Sequence, residues 1–381
     1  MKLIYFVTED WYFCSHRLGL AIAAREAGFD VTVVTRVTDH GAVIRDAGLG
    51  LIDIHLSRRS INPFAELGVV LRLASIYRRE RPDVVHHVAL KPVLYGSIAA
   101  RLVGLERVVN ALAGMGWAFS SSSGMAAFLK PMIRGMLRRL LCHGEVIVQN
   151  EDDAALVRRL AVEHVNLIQG SGVDVERFRP VDRDNPVPVV MLVARMIWDK
   201  GVQEFVDASR QLREWGTPAH FVLIGAPDAE NRAGIPEHVL RAWQTEGVVE
   251  WWGKRDDMPR VLEGCDIACL PTYYGEGLPK SLLEAAASGL PIVTTDSPGC
   301  RELVTDGDNG LLIPVRDVRA LADALEKLIG DEALRKRMGE RGRALAVERF
   351  SDQYVIDATL EIYRKLVPQE RGIQAASGVE S

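Results

Sequence analysis

Short runs of β-branched and aliphatic residues alternate with longer amphipathic segments along the first 150 residues of the chain. A short apolar run bounded by turn residues is typical of a buried strand, and an apolar stripe at helical spacing is typical of a helix. We expect Ser15 to cap a helix that Gly28 ends. The pattern predicts strands over 2–8, 30–35, 83–87, 107–111 and 145–149, and helices over 15–27 and 93–102. This alternation predicts parallel strands in a doubly wound α/β sheet.

The pattern changes near residue 170 and then begins again. Residues 170–172 carry two glycines, and 182–188 are rich in Asp and Pro, which predicts a linker between domains. The second set is predicted to contain strands over 189–193, 220–224, 248–252, 267–270 and 291–294, and helices over 202–215, 258–263, 279–287, 320–329, 332–348 and 351–366. We therefore expect two similar domains, 1–172 and 187–350, followed by a frayed tail over 368–381.

Composition and charge narrow the class of protein. The 381 residues suffice for two domains, and 48% hydrophobic with 25% charged residues excludes a disordered chain. Scattered cysteines, no signal-peptide pattern and no long apolar stretch predict a cytoplasmic protein without a membrane span. The first 180 residues hold 22 basic and 18 acidic residues, whereas the rest holds 24 and 33. The first half is therefore better suited to an anionic surface.

The segment 274–284 is the sharpest chemical motif. Gly277 allows a turn and Pro279 suits the first turn of a helix, whose N–H groups can bind phosphate. Glu276 lies in the loop, and Glu284 follows about 12 Å further along the helix, which matches the reach of a sugar diphosphate. Glu284 could instead be a solvated helix carboxylate. The helix is largely apolar, however, so we expect Glu284 to be buried with a partner.

A second motif follows the predicted strand over 189–193. Arg195 and Lys200 stand in one loop, where a guanidinium fork and an ammonium can converge on one diphosphate. The alternative is a pair of solvated loop cations. Beside the acidic segment 274–284, we favour the diphosphate site.

These motifs, together with Pro298-Gly299-x-Arg301-Glu302 and the sequence DNGLL over 308–312, resemble the retaining glycosyltransferase family 4. The resemblance covers most of the chain and is strongest over 189–316. It implies the GT-B fold, in which two Rossmann-like domains face each other across a cleft. It also implies that the last helix, 351–367, packs back onto the first domain.

The resemblance implies a role for each matching residue. Arg195 and Lys200 would hold the donor diphosphate, Glu276 would contact the transferred sugar, and these three are the expected catalytic residues. Glu284 would bind the ribose. The remaining donor-binding residues would be Gly277, Leu278 and Pro279 at the sugar and phosphate, and Trp252, Gly253, Lys254 and Arg255 at the nucleobase.

The first half resembles a narrower group within that family, the bacterial enzymes that build capsule, O-antigen and other surface glycans. The matching segments are 10–17, 86–92 and 110–116. Many such enzymes extend a sugar carried on a polyprenyl diphosphate, and the residues expected to bind the acceptor are His16, Arg17, His87 and Lys91. One position departs from the family pattern, because Ala113 stands where many members carry a histidine. His16 and His87 are the candidates to replace it.

Residues 128–141 carry an apolar helical stripe with four cations on the other side. This pattern is typical of a helix that lies on a membrane surface. It also fits an ordinary core-facing helix with a solvated basic edge.

The expected activity is the retaining transfer of a hexose or N-acetylhexosamine from a UDP-sugar to a lipid-linked glycan acceptor at the inner face of the cytoplasmic membrane. No nucleic-acid partner and no metal or other cofactor are expected, because Arg195 and Lys200 can neutralise the leaving diphosphate. Asp256 and Asp257 fit a helix N-terminus, and Cys265 with Cys269 fits the core. A UDP-sugar epimerase of GT-B shape and a non-catalytic nucleotide-sugar-binding protein at the membrane remain alternatives.

Overall fold

The structure is a computed structural model that describes residues 1–56, 62–114, 135–273, 275 and 277–367. Its strands form two sheets, and every strand pair within them is parallel. The predicted doubly wound α/β class is confirmed.

The first half forms a seven-stranded sheet with the order β3-β2-β1-β4-β5-β6-β7. Its strands are β1 (Lys2–Glu9), β2 (Asp30–Arg36), β3 (Gly50–Asp53), β4 (Val84–Val88), β5 (Val108–Leu112), β6 (Glu145–Val148) and β7 (Val165–Leu167). Its helices are α1 (Asp10–His16), α2 (Leu18–Glu26), α3 (Gly41–Asp46), α4 (Pro63–Glu80), α5 (Leu90–Leu102) and α6 (Glu151–Arg159), and residues 135–141 are also helical.

The predicted helix over 15–27 is wrong at its start. The chain turns helical at Asp10, whose carboxylate accepts the Trp11 amide at 2.8 Å, and it breaks at Arg17, where φ is −134° and ψ is −10°. Ser15 therefore lies inside α1 and caps nothing. Gly28, at φ +93°, follows the end of α2 as predicted.

The second half forms a six-stranded sheet with the order β10-β9-β8-β11-β12-β13. Its strands are β8 (Val189–Val193), β9 (His220–Ile224), β10 (Glu250–Trp251), β11 (Ile267–Leu270), β12 (Ile292–Thr295) and β13 (Gly310–Ile313). Its helices are α7 (Val202–Glu214), α8 (Glu237–Glu246), α9 (Met258–Glu263), α10 (Lys280–Ala287), α11 (Cys300–Leu303), α12 (Val318–Gly330), α13 (Glu332–Arg349) and α14 (Asp352–Leu366), and a 3₁₀ turn spans Trp198–Lys200.

Each sheet reverses its strand order once. The reversal lies between β1 and β4 in the first sheet and between β8 and β11 in the second. Loops that leave adjacent carboxyl ends at such a point diverge and leave a crevice, which is where α/β folds bind ligands.

Helix α14 returns to the first half. Val355, Leu360 and Tyr363 are buried in the apolar core on the same face of the sheet as α2. The Tyr363 hydroxyl lies 2.8 Å from the hydroxyl of Tyr5 and 2.5 Å from Nδ1 of His86. The last helix is thus joined by polar contacts as well as apolar ones to the strands at the reversal point.

Gly96 tests how tightly this half is packed. A Cβ at Gly96 would lie 2.4 Å from the ring of His87, which is fixed by Tyr77 at 3.0 Å and Asn110 at 2.8 Å. We expect Gly96→Ala to lower the free energy of unfolding by about 1–3 kcal/mol, measured by urea denaturation. Gly68→Ala in α4 is the matched control, because no heavy atom lies within 4 Å of its Cβ, and it should be neutral or slightly stabilising. Equal effects of the two substitutions would contradict the packing described.

Candidate functional site

The loops that leave β8 and β11 are fastened together. The carbonyl oxygen of Asp199 accepts hydrogen bonds from the amide of Tyr273 at 3.0 Å and the hydroxyl of Thr272 at 3.1 Å. Gly201, at φ +74°, follows Lys200 in the chain. A Cβ there would lie 2.1 Å from the carbonyl oxygen of Pro271 in the loop after β11. The segment 195–200 is therefore held at the reversal point of the second sheet.

Arg195 forms an ion pair with a residue that the sequence did not single out. Its Nη1 lies 2.6 Å from Oδ2 of Asp228, which stands in the loop after β9. The only sequence signal for Asp228 was its place after a predicted strand, which it shares with many loop residues. The guanidinium expected to hold a diphosphate is thus held by a carboxylate.

Lys280 is the first residue of α10, and the sequence did not single it out as a site residue. Its Nζ donates a hydrogen bond to the carbonyl oxygen of Ser15 in the first half and lies 3.9 Å from Oε1 of Glu284. The spacing of four residues between Lys280 and Glu284 was the available signal. Glu284 is mostly buried, and burial raises its pKa, while the charges of Lys280 and Arg177 act in the opposite direction. The expected buried carboxylate with a partner is present.

His16 of the first half lies next to Ser15, which Lys280 contacts. Its ring stacks on Tyr12 with centroids 4.2 Å apart, and Nδ1 lies 3.2 Å from the Tyr12 carbonyl oxygen. Burial, together with the charges of Lys280, Arg17 and Lys200, lowers the pKa of His16 to about 3, against the opposing effect of its hydrogen bond to Tyr12. The imidazole is therefore neutral at physiological pH, within electrostatic reach of two lysines from the other half.

The turn before α10 contacts the first half directly. A Cβ at Gly277 would lie 1.9 Å from the side-chain oxygen of Gln149, and Nδ2 of Asn150 lies 3.3 Å from the Gly277 carbonyl oxygen. The carbonyl carbon of Ala113 would lie 3.2 Å from the same Cβ. A larger residue there would require the Gln149 side chain to move, and Ala113, the position that departs from the family pattern, adjoins it.

Of the remaining donor-site residues in this turn, Leu278 and Pro279 are buried beside α10, and Pro279 is its N-cap rather than its first helical residue. Tyr274 and Glu276 lie outside the described residues. The contact of Glu276 with the transferred sugar stays a prediction.

The predicted nucleobase residues surround the carboxyl end of β10. Trp252 is exposed, and the guanidinium of Arg255 lies 5.9 Å from its ring. The carbonyl oxygen of Gly253 accepts the amide of Gly225 at 2.8 Å, while Lys254 is solvent-exposed. An exposed aromatic ring beside a cation can stack a base, and this assignment stays a prediction.

The acceptor-site prediction for His87 needs correction. Its ring is fully buried, with Nε2 bonded to the Tyr77 hydroxyl and Nδ1 to Asn110, and burial lowers its pKa to about 4. Both nitrogens are committed to packing in the first half, so His87 is not offered to a ligand. Lys91 remains at the start of α5, where its Nζ lies 2.9 Å from Glu66.

The amphipathic segment 128–141 is described only at its end, because 115–134 lie outside the described residues. In the described part, Leu137, Leu140 and Leu141 are buried, the first and last of them in a core with β5, β6 and α6. Met136, the remaining described position of the stripe, is exposed. Three of the four described stripe positions therefore face the protein, which favours the core-facing alternative at this end. Among the described residues, no group of three or more His, Cys, Asp or Glu is placed to hold a metal ion.

Two protein families match this chain. The family "Glycosyl transferase 4-like" matches residues 2–149, and "Glycosyl transferases group 1" matches residues 187–331. The chain belongs to these glycosyltransferases. The predicted family and the predicted class of enzyme are confirmed.

Curated relatives of this glycosyltransferase extend over nearly its whole length. It is 27% identical over 92% of its residues to the N,N'-diacetylbacillosaminyl-diphospho-undecaprenol alpha-1,3-N-acetylgalactosaminyltransferase of Campylobacter jejuni, of which 95% is covered. It is 25% identical to the UDP-Gal:alpha-D-GlcNAc-diphosphoundecaprenol alpha-1,3-galactosyltransferase of Escherichia coli, with 81% of this chain and 82% of the relative covered.

Solved structures confirm the predicted GT-B fold. Sucrose-phosphate synthase from Thermosynechococcus elongatus superposes with a TM-score of 0.79 at 19% identity, covering 96% of this chain and 99% of the other. Anabaena HepE in complex with UDP and glucose gives a TM-score of 0.76 at 17% identity, with the same coverage of 96% and 99%.

Lys280 gives a test of the electrostatics at Glu284. The charge of Lys280 lowers the Glu284 pKa, so Lys280→Met should raise it, and the carboxyl group should stay protonated to a higher pH. If Glu284 binds the donor as an anion, the fall of UDP affinity on acidification should begin at higher pH in this variant. Isothermal titration calorimetry between about pH 5 and 8 measures this shift.

The controls separate this effect from a general loss of charge. Glu284→Gln should flatten the acidic limb of the UDP profile. Lys336→Met removes an ammonium from an exposed pair with Glu332 at the same helical spacing, and it should leave the profile unchanged. A profile for Lys280→Met that coincides with the wild type would contradict the coupling.

Proposed function

We propose that this glycosyltransferase moves a hexose or N-acetylhexosamine from a UDP-sugar to a lipid-linked glycan acceptor, with retention of anomeric configuration. The observation that carries the proposal is the contact of Lys280, which lies 3.9 Å from Glu284 in the second half, with the carbonyl oxygen of Ser15 next to His16 in the first. The charges of Lys280 and Lys200 act on the His16 ring. The names of the two relatives above, which describe transfer onto diphospho-undecaprenol sugars, support the acceptor, and the UDP in HepE supports the donor. Synthesis of a bacterial surface polysaccharide follows as the proposed setting.

In the proposed reaction, cations compensate the charge of the leaving group. The bond between the sugar C1 and the diphosphate breaks while the acceptor hydroxyl attacks C1 from the same face, and the hydroxyl proton passes to the departing diphosphate. Lys200 and Arg195 stabilise the developing negative charge, and Arg195 exchanges Asp228 for phosphate oxygens. Protein cations then supply what a metal ion supplies in other transferases, so we propose that the reaction is independent of metal.

His16 takes the role for which the family histidine is missing at Ala113. It remains as the candidate because His87 is enclosed. Its neutral imidazole can donate a hydrogen bond to a sugar hydroxyl or accept one from it. It does so without adding a third positive charge beside Lys200 and Lys280.

The catalytic cations give a direct test. We expect Arg195→Ala and Lys200→Ala each to lower turnover by about 10²-fold or more, because transition-state charge is left uncompensated. The assay uses a panel of UDP-sugars, a short polyprenyl-diphosphate-sugar acceptor and added EDTA, which should not change the rate.

Arg241→Ala, which removes an exposed guanidinium from α8, is the control and should retain full activity. Near-normal turnover of the Arg195 and Lys200 variants would contradict the mechanism. A new UDP-sugar formed from the donor alone would indicate the epimerase.

A lipid-linked acceptor calls for a surface that meets the membrane. No helix in the described part of the chain has both the length and the apolarity to cross a bilayer. Helix α4 exposes Phe64 (84%), Leu67 (55%) and Leu71 (55%) along one stripe, beside the exposed cations Arg72 and Arg78. We propose that this stripe rests on an anionic leaflet, with the arginines facing the headgroups.

The membrane contact is tested with the triple variant Phe64→Ser, Leu67→Ser and Leu71→Ser. We expect it to lose most of its co-sedimentation with phosphatidylglycerol vesicles, because the apolar area that enters the interface is removed. Val347→Ser, which alters an exposed apolar side chain on α13, should bind as the wild type does. Unchanged sedimentation with vesicles would refute the proposal. It would also be refuted if the wild type were a dimer and the triple variant a monomer that still binds vesicles.

A further inference from the structure

Arg17 is a buried cation without a compensating anion. It stands at the break between α1 and α2, is 4% exposed, and its Nε has no hydrogen-bond partner. No carboxylate among the described residues pairs with it. The nearest acidic side chains along the chain are engaged elsewhere, since Asp10 accepts hydrogen bonds from the 38–40 loop and Glu9 contacts Arg36. A buried charge without a partner is costly and points to a ligand.

The groups around Arg17 are neutral. Its charge acts on Tyr5, His86, Tyr363 and His16, and none of these can supply a negative charge at physiological pH. Burial and the charge of Arg17 hold the pKa of His86 well below its usual range, so this imidazole stays uncharged.

A chain of hydroxyl groups fixes the proton on His86. Both buried hydroxyls find an acceptor in one arrangement of the protons, in which Tyr5 donates to Tyr363. The Tyr363 hydroxyl then donates to Nδ1 of His86 at 2.5 Å. A neutral imidazole that accepts at Nδ1 carries its proton on Nε2, and that atom is buried without a partner.

Arg17 and His86 therefore present hydrogen-bond donors and no acceptor. His86 lies opposite Tyr5 in the two strands that meet at the reversal point of the first sheet, and Arg17 ends the helix that begins at the carboxyl end of β1. The carboxyl ends of strands at such a point are where α/β folds bind ligands. Ser15, two residues before Arg17, accepts a hydrogen bond from Nζ of Lys280 in the other half, which places Arg17 near the contact between the two halves.

We propose that Arg17 and His86 bind a phosphate or diphosphate group of the acceptor. The guanidinium offers a bidentate fork to its oxygens, and the Nε2 hydrogen of His86 fixes their orientation. This inference rests on the proposed function for the identity of the acceptor. The oxyanion site itself follows from the two buried donors.

Inorganic pyrophosphate probes the site without any acceptor. Saturating UDP is added so that pyrophosphate cannot bind at the donor site. If UDP does not bind, the same measurements are made in the double variant Arg195→Ala, Lys200→Ala, in which the cations of the donor site are removed. We expect pyrophosphate to bind the wild type and to bind Arg17→Met at least about tenfold more weakly by calorimetry. His86→Phe should weaken binding less, and Arg45→Met, which changes an exposed arginine of the same half, should have no effect.

Thermal stability separates a ligand site from a structural arginine. Removal of a buried, uncompensated charge should leave Arg17→Met at least as stable as the wild type without ligand. Pyrophosphate should raise the Tm of the wild type and not of the variant. A variant that is less stable than the wild type and that still binds pyrophosphate would make Arg17 structural and overturn the proposal.

Transfer assays connect the site to the acceptor. With a diphosphate-linked acceptor, Arg17→Met should raise KM by about tenfold or more and alter kcat less, whereas a neutral alkyl glycoside should be used equally by both enzymes. Equal KM values on the diphosphate acceptor would overturn the proposal while the transferase function stands. If pyrophosphate binding depends on Arg17 but no lipid-linked acceptor is used, the oxyanion site stands and the proposed acceptor is refuted. Tight inhibition by inorganic phosphate alone would assign the site to a phosphate monoester instead.

Discussion

Mutual repulsion among the cations at the cleft is the constraint on which this structure depends. Asp228 holds Arg195 at 2.6 Å, and Glu66 holds Lys91 at 2.9 Å. Lys280 is held by the Ser15 carbonyl oxygen and lies 3.9 Å from Glu284. Coulomb energies between such groups are large when water is partly excluded, so the anion or dipole beside each of these three cations stabilises it.

The neighbours His86 and His87 show how one strand serves two purposes. Successive residues of a strand point to opposite faces of its sheet. His87 faces α4 and α5, where Tyr77 and Asn110 satisfy both ring nitrogens. His86 faces α14, and only its Nδ1 is bonded. One imidazole stabilises the packing of the first half, and the other retains a free donor.

The two halves are joined by polar contacts on both sides of the cleft. Glu302, from the segment that resembles the family motif, accepts hydrogen bonds from the Gln169 side chain at 2.6 Å and the Glu151 amide at 3.1 Å. Lys280 makes the corresponding contact beside the reversal points, and α14 adds the Tyr363 hydroxyl. These hydrogen bonds, together with the apolar side chains of α14, fix how the two halves are oriented.

The sequence by itself determined the class of fold and the loops that hold the candidate residues. Apolar runs predicted the strands 189–193, 220–224 and 267–270 to the residue, because buried central strands have an unbroken apolar pattern. The edge strands β3 and β7 lack that pattern, being less buried, and were not predicted. Motif spacing singled out Arg195, Lys200 and Glu284 as candidates, and their roles toward a donor stay predictions.

Tertiary structure alone decided the partners. The pairing of Arg195 with Asp228, the reach of Lys280 to Ser15, the enclosure of His87 and the uncompensated charge of Arg17 all join residues far apart in the chain. Local propensity fixes backbone direction over a few residues, whereas burial and charge compensation depend on which distant side chains the packed sheets bring together.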